Sequence, residues 1–217
     1  MTKRTVVNPE MLDADLTTVA DAIRGKTGTT EYLDFPEGFV SAVQSITGGG
    51  ESTPDYLAQF AMGTLTEYRS EEITTLRQYA FSRNPSLVNV ELPNWEKEGG
   101  YAFQECKGLK RLVFPSLTVS PEACFFNCTG LEYVDLPVIA YWGSNTFKNC
   151  SSLATVIMRK AALTTLGSTN VFVGTLIESG TGYVYVPDSL VNSYKTAANW
   201  STYANQIKPI SELPSTV

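Results

Sequence analysis

The chain repeats a pattern every 22 residues, and this period constrains its fold more than any other feature. One phenylalanine opens each copy: Phe81, Phe103, Phe125 and Phe147. The shared pattern is A/C/T-F-x-x-C/N-x-x-L-x-x-V/L-x-L/F-P, with Arg159 replacing the last proline in the fourth copy. Since one such unit is too short to bury its own apolar face, the repeats must stack on each other. The sequence therefore predicts a repeat solenoid.

The L-x-x-V-x-L part of the pattern predicts a short strand in every repeat. Alternate apolar residues place Leu87, Val90 and Leu92 in the core, and the strands of successive repeats stack in parallel. Leu65 and Tyr68 open the array as a half repeat. At the far end, residues 184–187 restate the strand and its proline, and Phe172 takes the place of the column phenylalanine after a short insertion. The predicted solenoid spans residues 56–187.

The four cysteines follow the repeat. Three of them occupy the column in which Asn84 stands in the first full copy: Cys106, Cys128 and Cys150. The remaining one, Cys124, shares a column with Ala80, Ala102 and Thr146. We expect all four to be reduced and buried, with the first three bonded to turn backbone. A metal site at Cys124 and Cys128, or a disulfide between stacked neighbours, is the alternative.

The first 47 residues predict a small α-helical hairpin that serves attachment or oligomerisation. Its apolar residues recur at helical spacing: Leu12, Leu16, Val19, Ile23, Phe39, Val43 and Ile46. This stripe is too large for so short a segment to bury alone, so we expect it to pack on a partner or on another copy. Residues 48–55 form a Gly-rich linker. Gly25-Lys26-Thr27 ends a predicted helix and lacks the glycine spacing of a phosphate-binding loop.

Residues 188–217 predict a helical cap and tail. Asp188 is placed to cap a helix that runs through Leu190, Tyr194 and Ala198. Large apolar side chains follow at Trp200, Tyr203 and Ile207, and a solenoid must cover its open end. The alternative is that these aromatic rings form a sugar-stacking platform.

Composition argues against several kinds of chemistry. The chain has no histidine, which removes the commonest general base and metal ligand. Its formal net charge is -6 and it has no basic run, which argues against nucleic acid as a partner. No segment is apolar and long enough for a signal peptide or a membrane span. We therefore expect no enzymatic activity, no cofactor, no bound metal and no membrane insertion.

The residues between the core positions of each strand predict an outward face. The two outward columns are Glu67, Asn89, Arg111, Tyr133 and Thr155, and Arg69, Glu91, Val113, Asp135, Ile157 and Tyr185. The candidate binding residues on it are Arg111, Tyr133, Asp135, Val113, Ile157, Tyr185 and Glu91, a mixture of charged, aromatic and apolar groups. With Arg111 and Tyr133 outside the core, changing both to alanine should abolish binding and spare the melting temperature. The alternative is a solvated face whose charges pair across strands, such as Arg69 with Glu91.

The repeat and the tail together resemble the BspA-type leucine-rich repeat family. The resemblance covers roughly residues 56–212 and includes Val186-Pro187-Asp188-Ser189-Leu190 and Ala198-Asn199-Trp200-Ser201-Thr202-Tyr203. Members are mostly bacterial surface proteins implicated in adhesion, so the resemblance implies a binding role. This chain differs from the cell-surface members because it shows no signal peptide or anchor.

Residues 19–28 with Phe35-Pro36-Glu37-Gly38-Phe39 and Ile46 look like a module that opens tail and minor structural proteins of phages and prophages of Gram-positive bacteria. The resemblance implies a tail-associated virion adhesin that is made in the host cytoplasm and binds a host-surface protein or carbohydrate. It also implies contacts with other virion proteins or with copies of itself. A purely structural tail or capsid decoration and a cytoplasmic interaction or inhibitor protein are the alternatives.

Overall fold

The computed structural model describes residues 64–76, 78–98 and 100–215. The predicted helical hairpin, with its apolar stripe from Leu12 to Ile46, lies outside the described residues. So do the linker over residues 48–55 and the first residues of the predicted solenoid. The described residues cover most of the predicted solenoid and the C-terminal region.

Short parallel strands of two sheets form a row that we call the long ladder. They are β1 (Glu67–Arg69), β3 (Asn89–Glu91), β5 (Arg111–Val113), β7 (Tyr133–Asp135), β9 (Thr155–Ile157), β11 (Tyr183–Val186) and β12 (Ile207–Pro209). β1 pairs with β3, and β5, β7, β9, β11 and β12 form a second set in that order. Val134 lies in register with Leu112 on one side and with Val156 on the other. This architecture confirms the predicted solenoid of stacked parallel strands.

A second row of strands, the short ladder, follows the long-ladder strands along the chain. It contains β2 (Thr75–Leu76), β4 (Lys97–Glu98), β6 (Val119–Ser120), β8 (Tyr141–Trp142) and β10 (Thr165–Leu166). These strands are also parallel, pairing as β2 with β4 and as β6, β8 and β10. Leu76, Trp142 and Leu166 are buried, so the short ladder contributes side chains to the core.

Like side chains stack on like side chains in that core. Adjacent rings in the phenylalanine column lie 5.0 to 5.8 Å apart between centroids, with planes within 10° of parallel: Phe81, Phe103, Phe125, Phe147 and Phe172. Each such pair contributes about 0.5–1.5 kcal/mol beyond the burial of its area. Phe172 thus continues the column, as the sequence predicted.

Each repeat turns through residues with left-handed backbone. One column has φ from 55° to 63° at Tyr79, Tyr101, Ala123 and Asn145, and a second has φ from 60° to 63° at Arg83, Glu105, Asn127 and Asn149. For a residue with a β-carbon this conformation is unfavourable by about 1–2 kcal/mol, although asparagine tolerates it better. Backbone bonds between repeats oppose this cost, since the amides of Phe81 and Phe103 donate to the carbonyls of Ala102 and Cys124.

The cysteine column ties neighbouring turns together. Each of its three thiols donates, at 3.0 Å, to the backbone carbonyl of the column phenylalanine of the preceding repeat; the pairs are Cys106 with Phe81, Cys128 with Phe103 and Cys150 with Phe125. This confirms the predicted bonds to turn backbone. Burial raises the pKa of Cys106 and of Cys128 well above that of an exposed thiol. All four cysteines are buried, as predicted.

The C-terminal region closes the last repeat with large side chains. Its elements are a 3-10 turn at Asp188–Leu190, helix α1 (Val191–Thr196), a 3-10 segment at Trp200–Gln206 and a 3-10 turn at Ile210–Glu212. The predicted capping side chains are buried: Tyr194, Trp200, Tyr203 and Ile207. The indole N–H of Trp200 donates to the carbonyl of Thr164 at 2.7 Å, and the hydroxyl of Tyr203 donates to the carbonyl of Thr169. Since both acceptors belong to the last repeat, these bonds confirm the capping role.

The prediction that Asp188 caps a helix is wrong. Asp188 lies within a 3-10 turn, and neither this turn nor α1 has a side-chain hydrogen bond at its N-cap residue. The Asp188 carboxylate instead accepts the backbone N–H of Ser211 at 3.2 Å. Helix α1 also ends before Ala198. The carboxylate of Asp188 therefore accepts a backbone N–H that is distant in sequence and not one from the helix that follows it.

Strand β12 completes the long ladder. Ile207 pairs with Val184, and Pro209 pairs with Val186 at the end of the strand. Proline has no backbone N–H, so this last position offers no donor to a further strand. The chain then turns back through Ile210–Glu212.

Candidate functional site

The long ladder has an outer face, formed by the first and third residues of its strands from β1 to β11 and by Lys208 of β12. The middle residues of β3, β5, β7 and β9 are buried in the core. On β1, β3 and β5 the outer face carries what we call the open half: Glu67, Arg69, Asn89, Glu91, Arg111 and Val113. On β7, β9 and β11 it carries the covered half: Tyr133, Asp135, Thr155, Ile157, Tyr183 and Tyr185.

The covered half corrects the sequence prediction that its apolar groups are exposed. The side chains of Tyr133, Ile157 and Tyr185 retain only 8%, 0% and 5% of their accessible surface. They form a cluster of their own, against which Ile210 and Leu213 pack. The chain after β12 thus folds back over the outer face and covers three of the residues that were predicted to bind a partner.

We call the segment after β12, residues 210–215, the tail. Several polar contacts hold it in place. The Ser211 amide binds Asp188, as described for the cap, and hydrogen bonds from the side chain and backbone of Ser211 lower the pKa of the Asp188 carboxyl. The ammonium group of Lys208 lies 3.9 Å above the ring of Tyr183 and 4.0 Å from the carboxylate of Glu212. The 3-10 turn of the tail is therefore held through two of its own residues, Ser211 and Glu212.

Charged groups mark the boundary between the two halves. The guanidinium of Arg111 lies 3.6 Å above the centre of the Tyr133 ring. Two residues further along β7, Asp135 is buried, and its carboxylate lies 2.8 Å from the guanidinium of Arg159. Burial and the Asp135 carboxylate raise the pKa of Tyr133, against the opposing effect of Arg111 and Arg159. Tyr133 is therefore a neutral phenol at physiological pH, and its hydroxyl donates to Asp135 at 3.4 Å.

The expectation that Arg111 and Tyr133 both lie outside the core is therefore wrong for Tyr133. Its ring is buried beneath the guanidinium and within the tail-covered cluster, so its removal would change stability as well as the surface. Asp135 is likewise buried and paired. Of the seven predicted binding residues, only Glu91, Arg111 and Val113 are exposed.

The open half is solvent-exposed and partly paired. Arg69 binds Glu91 at 3.0 Å across the ladder, which confirms the predicted ion pair, and it also binds Glu71 at 3.0 Å. Val113 keeps 45% of its side-chain surface accessible. Arg111 forms no ion pair with any described residue. The open half thus combines a paired cation, an unpaired cation and an exposed apolar group.

A groove of about 380 Å³ runs across this half. Its lining includes Arg69, Asn89, Glu91, Pro93, Arg111, Val113 and Pro115. Sequence reasoning named Glu91, Arg111 and Val113 as binding residues but omitted the two prolines, which it treated only as strand ends. Their position at the same column of adjacent repeats was the signal that could have placed them together.

Among the described residues, no group of three or more His, Cys, Asp or Glu side chains could hold a metal ion. None of the helices in that part of the chain is long and apolar enough to cross a membrane.

Two ladders of parallel strands around stacked phenylalanines define a leucine-rich-repeat-type solenoid. A family model for the BspA type leucine rich repeat region matches residues 64–190 as six copies. This match spans more than half of the chain, which therefore belongs to the BspA-type leucine-rich repeat family. No curated protein matches the chain. Repeats of this family are typical of proteins that bind other proteins.

Proposed function

We propose that this protein binds a protein partner through the open half of its outer face. The observation that carries the proposal is the groove, where exposed Arg111 and Val113 stand beside each other on β5. Arginine is enriched at protein interfaces and among their hot spots, and the centres of interfaces are more apolar than the rest of the surface. The backbone of both residues lies in a regular strand that pairs with β7, so less conformational entropy is lost on binding than in an irregular loop.

We further propose that the protein works in a phage virion as a tail-associated adhesin. The support is the resemblance of residues 19–46 to the opening module of phage tail and minor structural proteins. In this proposal residues 1–47 attach the protein to the particle or to other copies of itself, and the solenoid faces the receptor. A catalytic role is disfavoured because the chain lacks histidine.

Site-specific photocrosslinking tests the binding face. A photoreactive amino acid placed at Asn89 or Val113, in the strain that carries the gene, should yield a discrete protein adduct. The matched control is Lys97, which is exposed on the short ladder. An adduct that forms at Lys97 and not at the two groove positions would place binding elsewhere and contradict the proposal.

Particle purification tests the virion role. After prophage induction, the protein should sediment with particles in a density gradient, and deletion of residues 1–50 should release it while the solenoid stays folded. Particles that carry the protein but infect equally well when the groove is blocked by Asn89→Arg would favour a purely structural decoration. Absence from particles would favour a cytoplasmic interaction protein.

A further inference from the structure

We propose that the partner segment held in the groove is a peptide that pairs a carboxylate with Arg111 and places an apolar side chain against Val113. This inference rests on the proposed binding function and adds the chemistry of the partner. Three observations support it: the contacts of Arg111, the apolar groups beside it, and the packing of the chain's own tail on the adjacent half.

Arg111 contacts the Tyr133 ring, and within the described part of the chain its hydrogen-bond donors have no side-chain acceptor. Its guanidinium stacks on the Tyr133 ring at 3.6 Å, an interaction made by the flat face of the group. The N–H groups lie along the edge, and no described carboxylate pairs with them. By contrast, Arg69, at the other side of the groove, already binds Glu71 and Glu91. A guanidinium fixed in orientation with its donor edge unpaired is suited to bind a carboxylate with two parallel hydrogen bonds.

The apolar part of the groove lies beside this cation. Val113 is exposed on the same strand as Arg111, and Pro93 and Pro115 line the groove at the ends of β3 and β5. Neither proline offers an N–H that would need a polar partner. An aliphatic or aromatic side chain next to the acidic residue would therefore bury these three groups at little desolvation cost.

The tail shows that aliphatic side chains of a peptide segment fit the outer face. In Ile210-Ser211-Glu212-Leu213 an acidic residue adjoins an apolar one, and Ile210 and Leu213 pack on the covered half. The outer face continues from the covered half to the open half through the contact of Tyr133 with Arg111. This continuity favours a peptide over a sugar, because the neighbouring site already accepts aliphatic side chains.

Selection from a displayed library of random peptides tests the proposal with the full-length protein. The wild type should enrich peptides in which Asp or Glu lies beside an apolar residue. The variant Arg111→Glu should lose the acidic preference and enrich Lys or Arg at the same place. Lys97→Glu, the matched charge reversal on the short ladder, should select the same peptides as the wild type.

One enriched peptide then gives the quantitative test. Changing its acidic residue to the amide should weaken binding to the wild type by about tenfold or more, since a charge-assisted bidentate pair is lost. The same peptide change should have no effect on binding to Arg111→Glu. No acidic enrichment, or equal enrichment by Arg111→Glu, would overturn the inference. Crosslinking from Asn89 or Val113 in that case would leave the binding function standing and only its proposed chemistry wrong.

Discussion

The open and covered halves of the outer face are built on the same strand pattern and differ in what lies over them. In the open half the outward residues are charged or polar apart from Val113, and they are exposed. In the covered half Tyr133, Ile157 and Tyr185 are buried under Ile210 and Leu213. The comparison shows that an apolar group on an outward column has two explanations, a partner or the chain itself. Here the chain's own tail explains the covered half, whereas the tail does not pack on the exposed side chains of the open half.

The largest expected effect is on the free energy of unfolding when a charged side chain is placed in each half. Ile157→Asp should destabilise the protein by at least about 4 kcal/mol, because a carboxylate would replace a fully buried side chain beneath the tail. Val113→Asp, at the corresponding outward position of the open half, should change the free energy of unfolding by no more than about 0.5 kcal/mol. Urea denaturation of both variants measures this. Similar losses for the two would mean that the halves do not differ in burial.

Removal of residues 210–217 should have the next largest effect. Loss of Ile210 and Leu213 exposes the cluster they cover, and we expect a loss of about 2–4 kcal/mol with increased binding of a hydrophobic dye. Removal of residues 214–217 alone is the control, since Pro214 and Ser215 are exposed and should contribute little. A full truncation as stable as the wild type would show that the tail does not stabilise the covered half.

Two ion pairs give a finer test of the same comparison. Arg159→Leu should lower the free energy of unfolding by about 2 kcal/mol, because the Asp135 carboxylate would lose its cation. The side chain of Asp135 is only 13% exposed, so water cannot fully replace that cation. Arg69→Leu should cost at most about 1 kcal/mol, because Arg69 and Glu91 are 64% and 49% exposed and water replaces the lost partner. Thermal melts of both variants compare the two. A larger decrease in melting temperature for Arg69→Leu than for Arg159→Leu would contradict the burial assigned to the two ion pairs.

The smallest expected effect concerns pH. Hydrogen bonds from Ser211 lower the folded-state pKa of Asp188, so this contact stabilises the tail above the ordinary pKa of the carboxyl and is lost as the pH falls through the lowered value. The amide resonance of Ser211 should therefore shift under acidic conditions, with its midpoint below the ordinary aspartate pKa. In Asp188→Asn the shift should disappear. A midpoint above that ordinary value would contradict the assigned bond.

The repeat made much of the fold predictable from sequence. A fixed period tells which side chains stack, so the phenylalanine column and the ion pair of Arg69 with Glu91 followed from spacing. The bonds of the cysteines followed instead from the use of Asn or Cys at this position in leucine-rich repeats. The cap was predictable for a different reason, because large apolar residues such as Trp200 and Tyr203 must be buried somewhere near the end of the array.

The tail contacts were not predictable because nothing periodic encodes them. Ile210–Glu212 is a single 3-10 turn, and its position on the outer face depends on β12 pairing with β11 and on the bond from Ser211 to Asp188. For the same reason, the local capping preference of aspartate predicted a helix cap at Asp188, whereas its carboxylate binds the amide of Ser211. The exposure of Tyr133 and Ile157 was therefore wrongly predicted, although the face on which they lie was assigned correctly.

The cysteine column also provides a built-in chemical probe of how the array opens. Only a thiolate reacts readily with alkylating reagents, and burial both blocks access and raises the pKa of Cys106 and Cys128. Because Cys106, Cys128 and Cys150 belong to successive repeats, each becomes reactive only when its own repeat separates from its neighbours. Their relative labelling rates would report, without any engineered label, from which end the solenoid frays.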